Sequence, residues 1–305
     1  MPELPEVQTV VNDLMSSGLI GATITDAQVF WPRTVSKLSP AVFCQRIKQQ
    51  RLKGVRRRGK YILFDLSGPY HLLIHLRMTG RLNLVESSEP GSKHEHVILN
   101  FENQRQLRFH DTRKFGRFYL VQDPETIVGH LGPEPLAPSF TATVLADRLS
   151  LRQRMLKPLL LDQSFIAGLG NIYVDEALWE AKLHPCRTAS SLSKVEIRSL
   201  HRAVLKVLKQ ALKNLGTTLG AGKSNYYSIA KNKGRNRDRL MVFRRTDLPC
   251  FRCSTVIERI VVSQRSTHIC PGCQQLEKGE NNENRQHTRK SKNQRQQRSR
   301  RPKVL

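Results

Sequence analysis

Two Cys-x-x-Cys pairs, Cys250/Cys253 and Cys270/Cys273, stand sixteen residues apart near the end of a 305-residue chain. No other feature restricts the fold as much. Each pair puts two thiolates on a tight turn, and two such turns facing each other offer the tetrahedral sulfur ligation that zinc takes. All four positions are cysteine, which leaves no ligand position open for water. The site therefore reads as one structural Zn2+ held by Cys250, Cys253, Cys270 and Cys273, with a redox or metal-free arrangement as the alternative. Val256, Ile257, Ile260, Val261 and Val262 between the pairs suit two short strands, so a zinc-ribbon β-hairpin is expected over 241–273.

Metal is preferred over disulfides because the start, MPELPEV, is acidic and lacks the basic and apolar segments of a secretory signal. No apolar run reaches eighteen residues, so no transmembrane helix is expected. A non-secreted protein follows, cytoplasmic or nucleoid-associated if the source is bacterial. Cys44 and Cys186 stand alone and read as buried thiols.

The formal charge is +26, and it is uneven: +5 over residues 1–150 and +21 over 151–305. A polyanion is the first partner to consider, with a basic ribosomal-type protein as the plainer reading.

The chain changes hydrophobic period along its length. Residues 5–17 read as a helix, with Pro5 in the first turn and Val7, Val10, Val11, Leu14 and Met15 on one face. From about 20 to 122 short runs of period two (KYILFDL, HVILNF, GRFYLV) alternate with turn residues and predict an antiparallel β-sandwich. Helical patterns follow over 142–149, 152–160, 172–181 and 194–214, the last opened by a Ser193/Glu196 capping box and followed by Gly216. The polar, basic segment 220–239 reads as a mobile loop, and the basic tail 274–305 as disordered. The fold class is α+β: N-terminal helix plus β-sandwich (1–130), a helical domain (131–240), the finger (241–273) and the tail (274–305).

The N-terminus carries a second chemical possibility. Pro2 follows Met1 and permits its removal, which would expose a secondary amine. An α-amino group titrates near pH 8, so a useful fraction is neutral and can attack an electrophilic carbon. Glu3 lies beside it and can move a proton. Alone, MPE is an ordinary start.

The strings MPELPEV, RRGKY (57–61), HLRMTG (75–80), DTRKFG (111–116), HLGPEPL (130–136), GLGNIY (168–173) and GTTL (216–219), followed by the four-cysteine finger, occur in one order. Over residues 2–273 this order resembles the formamidopyrimidine-DNA glycosylase family. The resemblance implies a helix–two-turns–helix domain and a DNA repair enzyme of base excision. Such an enzyme removes oxidised purines (8-oxoguanine, formamidopyrimidines) from double-stranded DNA through an N-terminal proline Schiff base, then cleaves the abasic site by β,δ-elimination. It implies Pro2 as nucleophile, Glu3 as proton-transfer residue and Lys60 as a phosphate contact needed for activity. Glu6 and Glu176 match further acidic positions near the nucleophile. Met78, Arg113 and Phe115 match the residues that fill the gap left by an everted nucleotide. Asn171, at the helix opened by GLGN, with Lys157 and Arg265, matches phosphate contacts. Read without the resemblance, Met78 and Phe115 are core residues and Lys157 a solvated charge. A monomer without organic cofactor is expected. The nearest rivals are the endonuclease VIII-like group, which acts on oxidised pyrimidines, and a non-catalytic zinc-ribbon nucleic-acid binder.

The stretch Val242–Cys250 departs from the family pattern, because the glycine positions of a Tyr-Gly-Arg-like entry hold other residues. A different local turn is expected there. The 220–239 segment is longer and more basic than the pattern, which bears on base preference.

Overall fold

The structure, a computed structural model, describes residues 2–220, 226–230 and 232–276. Two compact units are formed, one from Met1–Glu134 with Leu208–Arg239 and one from Pro135–Val207 with Leu240–Leu305. The units are not continuous in sequence, whereas the expected domain limits were.

The first unit begins with α1 (Leu4–Ser16), whose apolar stripe Val7, Val10, Val11 and Leu14 is fully buried. Its strands are β1 (Ile24–Val29), β2 (Val35–Ser36), β3 (Leu52–Arg58), β4 (Tyr61–Leu66), β5 (His71–His75), β6 (Arg81–Glu86), β7 (Glu95–Phe101), β8 (Arg105–His110) and β9 (Arg117–Val121). They form a four-stranded sheet, β1-β7-β8-β6, and a five-stranded sheet, β2-β9-β5-β4-β3. All pairings are antiparallel except the two-residue β2–β9 contact.

Register aligns the apolar positions. Ile62 faces Ile74, which faces Phe118; in the other sheet Val97 and Leu82 both face Phe109. These rows meet in one core, where the Phe109 and Phe118 rings lie 5.0 Å apart, edge to face. Truncating either ring would cost about 3–5 kcal/mol.

Period-two reading misses α2 (Pro40–Ile47) and α3 (Glu125–Val128). The signal for α2 is local: Ser39 Oγ caps it by accepting the Val42 N–H at 3.3 Å, and Pro40 follows.

The second unit holds α4 (Ala142–Ser150), α5 (Leu156–Leu161), α6 (Asn171–Glu180), most of α7 (Lys194–Lys213) and the hairpin β10 (Glu258–Val262) and β11 (Arg265–Ile269). The helix expected from 152 starts only at Leu156, because Met155 pairs with Thr188 in an isolated bridge. The capping box of α7 is present: Ser193 N–H donates to Glu196 Oε2 at 2.8 Å, and Glu196 N–H to Ser193 Oγ at 3.3 Å. At its other end Gly216, at φ +80°, donates its N–H to the Ala211 carbonyl.

The described part of 220–239 is not the free loop its composition suggests. Tyr226 and Ile229 pack on the sandwich core, Asn236 is buried, and Ala230 N–H donates to Asp13 Oδ2 at 3.0 Å. Residues 221–225 and 231 lie outside the described residues, as does the expected disorder of 277–305. The start of the tail is corrected: Gln274 is buried, accepting the Cys270 N–H and donating to the Leu183 carbonyl. No helix among the described residues is long and apolar enough to cross a membrane.

Candidate functional site

In the first unit, Pro2 and Glu3 are buried immediately before α1. Glu6 reaches back one turn, its Oε2 accepting the Glu3 N–H at 2.8 Å, while its Oε1 accepts the Thr217 N–H at 2.7 Å. One carboxylate thus fastens the start of the chain to the GTTL segment. That segment is itself tied down: Asn236 Nδ2 donates to Thr217 Oγ1, and Thr218 Oγ1 donates to the Tyr226 carbonyl and accepts the Gly234 N–H.

Lys60 lies in the β3–β4 turn and is 6% exposed. Arg57, just ahead of it, donates from Nε to Gln8 Oε1 on α1 at 2.9 Å, so the turn and the helix are linked. Glu134 holds the turn from beneath, pairing with Arg57 at 2.7 Å and Arg58 at 3.2 Å and accepting the Gly59 N–H. Burial works to raise the Glu134 carboxyl, but these partners hold it below its ordinary range. His75 lies close by, edge-on to Tyr61 at 4.6 Å, its Nδ1 accepting the Arg77 N–H. Burial, with Arg77 and Lys60 alongside, pushes its imidazole down to about 3, so it is neutral.

Met78, Arg113 and Phe115 are exposed, which removes the reading of Met78 and Phe115 as core. The structure brings the three together: Arg113 Nη1 lies 3.0 Å from Met78 Sδ, and its guanidinium stacks 4.7 Å from the Phe115 ring centroid. Both loops rest on Phe109. A β-carbon on Gly80 would come 2.9 Å from that ring and one on Gly116 2.2 Å, so neither position admits a side chain.

In the second unit, Asn171 opens α6, with Gly170 at the N-cap. Asn171 Nδ2 donates to the Ser266 carbonyl at 2.9 Å. It lines an open concavity of about 580 Å3 with Phe243, Arg244, Thr246, Arg259, Ser266 and His268. Two guanidinium groups and a helix N-terminus around one hollow can hold an anion. Arg265 is exposed at the start of β11.

Lys157 is corrected. It is neither a solvated charge nor placed to touch a phosphate, being fully buried, with Nζ 2.6 Å from Asp175 Oδ1 and 2.9 Å from the Ser266 carbonyl. Asp175 Oδ2 accepts the His268 N–H at 2.9 Å, so the pair joins α5 and α6 to the hairpin. Glu176 is similarly occupied: its carboxylate accepts the N–H groups of Met241, Val242 and Phe243, and burial pushes it up to about 6 against those three donors. It secures the entry to the finger.

At that entry Arg244 and Asp247 adopt φ +60° and +66°, the left-handed region that favours glycine. The turn keeps the handedness glycine would give, so the expected change is in side chains and not in backbone hand.

The Sγ atoms of Cys250, Cys253, Cys270 and Cys273 all lie within 4.8 Å of one another, with three pairs at 3.4–3.9 Å. Tetrahedral zinc with bonds near 2.3 Å requires sulfurs about 3.8 Å apart, so the donor set fits. Trp179 Nε1, Arg252 N and Cys273 N point hydrogens at the sulfurs at 3.4 Å, which favours thiolates. The finger carries one structural zinc.

Residues 1–118 match the formamidopyrimidine-DNA glycosylase N-terminal domain, 131–221 the formamidopyrimidine-DNA glycosylase H2TH domain, and 247–276 the zinc finger found in FPG and IleRS. The chain belongs to the formamidopyrimidine-DNA glycosylase family. It is 53% identical over 275 residues to the formamidopyrimidine-DNA glycosylase of Protochlamydia amoebophila, covering 90% of this chain and all of that one. To the enzyme of that name from Herpetosiphon aurantiacus it is 46% identical over 276 residues, again 90% and 100% covered. Lactococcus lactis Fpg in complex with abasic-site DNA superposes with a TM-score of 0.82 at 34% identity, covering 90% of this chain and 100% of that one. The Lactococcus lactis complex with Fapy-dG-containing DNA gives the same values. The formamidopyrimidine-DNA glycosylases are N-glycosylases of DNA repair, and this chain is one of them.

Asp111, Glu134 and Asp175 are the structural residues that sequence reading passed over. The first two lie inside quoted strings, DTRKFG and HLGPEPL, but nothing local shows that Asp111 gathers backbone N–H groups of its own string together with the distant Thr79 hydroxyl, or that Glu134 pairs with Arg57 and Arg58.

Proposed function

We propose that this glycosylase is bifunctional, excising oxidised purines from duplex DNA and cleaving the resulting abasic site through a Schiff base on Pro2. The observation that carries the reading is the placement of Pro2. The proline is buried and fixed by a helix cap whose acidic arm, Glu6, is anchored twice. A nucleophile that must meet a sugar carbon needs such restraint. Removal of Met1 frees the proline amine, which in neutral form attacks C1′ as the base departs with a proton. Loss of the amine proton, protonation of O4′ and cleavage of the C1′–O4′ bond then open the sugar ring and leave an iminium between the proline nitrogen and C1′. Abstraction of a C2′ proton then expels the 3′ phosphate, and a second elimination expels the 5′ phosphate. Glu3, buried beside Pro2, is the proton-transfer group, and Lys60 binds a phosphate near the sugar.

Met78, Arg113 and Phe115 enter the duplex where the nucleotide leaves, and Arg113 hydrogen-bonds the orphaned base. Asn171 and Arg265 hold backbone phosphate with the metal-braced finger. The Lactococcus lactis relatives bind DNA carrying Fapy-dG or an abasic site, and this supports duplex DNA with oxidised purines as the partner. The protein acts as a monomer.

Borohydride trapping tests the reading. Wild-type protein is expected to form a covalent adduct with 8-oxoguanine and abasic duplexes, and Pro2→Gly to lose excision while still binding DNA. Full activity in a chain shown by mass spectrometry to retain Met1 rules the mechanism out.

A further inference from the structure

The carboxylate of Asp111 is completely buried, and four donors from two loops converge on it. Oδ1 accepts the Thr79 hydroxyl and the Arg113 N–H (3.1 Å), and Oδ2 accepts the N–H groups of Phe115 and Gly116, both at 2.8 Å. The Thr79 hydroxyl also accepts the Arg113 N–H at 3.2 Å. The residue's own backbone is held as well: its N–H donates to the His94 carbonyl at 3.0 Å, and its carbonyl lies 2.8 Å from His96 Nε2. Every one of these contacts bears on the loops 76–80 and 111–116, which carry Met78, Arg113 and Phe115.

We infer that Asp111 is a positioning residue that sets opposite-base discrimination, by locking the Met78 loop to the Arg113–Phe115 loop so that the three exposed side chains enter DNA as one preformed wedge. This rests on the gap-filling reading given above. Exposed side chains on independent loops would each have to be ordered on binding, at a cost in conformational entropy for every side chain. A carboxylate that accepts from both loops removes that cost before DNA arrives, because neither loop can move without abandoning a charge-assisted hydrogen bond in a dry site. Four donors call for a group that only accepts. An ionised aspartate does so; the isosteric asparagine brings an NH2 that must face two of the N–H or O–H donors.

The test compares Asp111→Asn, Thr79→Val and Thr79→Ser with the wild type on three readouts. These are single-turnover excision of 8-oxoguanine opposite each of the four bases, borohydride trapping on a single-stranded abasic oligonucleotide, and the thermal midpoint. The single-stranded substrate has no stack to fill and no opposite base to read. Asp111→Asn should lower excision from duplex at least tenfold and flatten the preference among opposite bases, while single-stranded trapping stays within about threefold of wild type. Thr79→Val, which deletes one donor, should move the same way by less, and Thr79→Ser should restore wild-type behaviour. If Asp111→Asn fails to fold, the two Thr79 variants carry the test. Unchanged discrimination in Asp111→Asn or Thr79→Val, or equal losses on duplex and single strand, would overturn the inference. Absence of trapping in the wild type would instead overturn the proposed function.

Discussion

Gly216 lies against Glu6 so closely that a β-carbon on residue 216 would stand 2.7 Å from Glu6 Oε1. The same glycine has φ +80°, and its own carbonyl oxygen would be 2.4 Å from a β-carbon on Gly234. Gly216→Ala should therefore destabilise the first unit by about 2 kcal/mol, from the left-handed backbone and the displaced carboxylate together. Excision should fall with it, because Glu6 also fixes Glu3. Urea unfolding and single-turnover kinetics check this. Wild-type stability with wild-type excision would mean that Glu6 does not need the GTTL segment to hold the start of the chain.

Lys157 and Asp175 form an ion pair with no exposed side-chain surface on either partner. Removing one charge strands the other, so Lys157→Met should cost about 3–5 kcal/mol of stability. Replacing both, as Lys157→Met with Asp175→Leu, should recover part of that loss. A surface phosphate contact behaves differently, reducing the salt slope of DNA binding by about one without changing stability. Unfolding midpoints and a salt titration on undamaged duplex separate the two. A lowered slope at unchanged stability would return Lys157 to the DNA surface.

His75 gives the first unit a pH dependence of fixed sign. Its folded value is pushed down to about 3 from an ordinary 6.5. The unfolded chain therefore binds the proton first. The contribution is complete above pH 6.5 and is lost as pH falls toward 3, amounting to about 2 kcal/mol between pH 7 and pH 5. A His75→Gln variant should show a correspondingly shallower fall in unfolding free energy over that range. Equal slopes in variant and wild type would place the titration elsewhere.

Chelation of the metal, or Cys253→Ser, should weaken duplex binding by an order of magnitude or more while leaving Pro2 able to form its adduct at saturating protein. Two of the cysteines, Cys250 and Cys270, are themselves part of the small cluster that packs the finger, with Trp179, Val242 and Ile257. Binding of zinc and folding of the finger are thus coupled. Fluorescence anisotropy on holo and metal-free protein decides, and equal affinities would show that the finger does not grip DNA.

Where sequence reading succeeded and failed follows from the range of the forces involved. The finger was legible because its ligands sit within a few residues of each other on two turns. The long α7 was legible because cap, stripe and terminal glycine are all local. Met78 and Phe115 were legible as exposed residues only through the family resemblance, since in a sequence an apolar side chain looks the same in a core or at a surface. Lys157 failed for the opposite reason: its partners Asp175 and Ser266 come from 18 and 109 residues away, and no local pattern announces a paired charge in the interior. The 220–239 segment misled through composition. Two apolar residues, Tyr226 and Ile229, and one buried amide, Asn236, are enough to dock a strand of otherwise polar chain.

The hydrogen bond from Thr217 to Glu6 spans 211 residues, and the unit containing Pro2 includes Leu208–Arg239. During synthesis from the N-terminus, the proline and its helix emerge first, yet the donor that anchors their cap emerges only after most of the second unit. Closing so long a loop is slow, because its entropy is lost before the contact is gained. The N-terminal segment is thus the first part of the chain to be made and among the last to be set in place. A ribosome-bound chain that stops short of Thr217 carries the Glu3–Glu6 helix cap with one of the two anchors of Glu6 missing, so the surroundings of Pro2 are completed only after that residue has emerged.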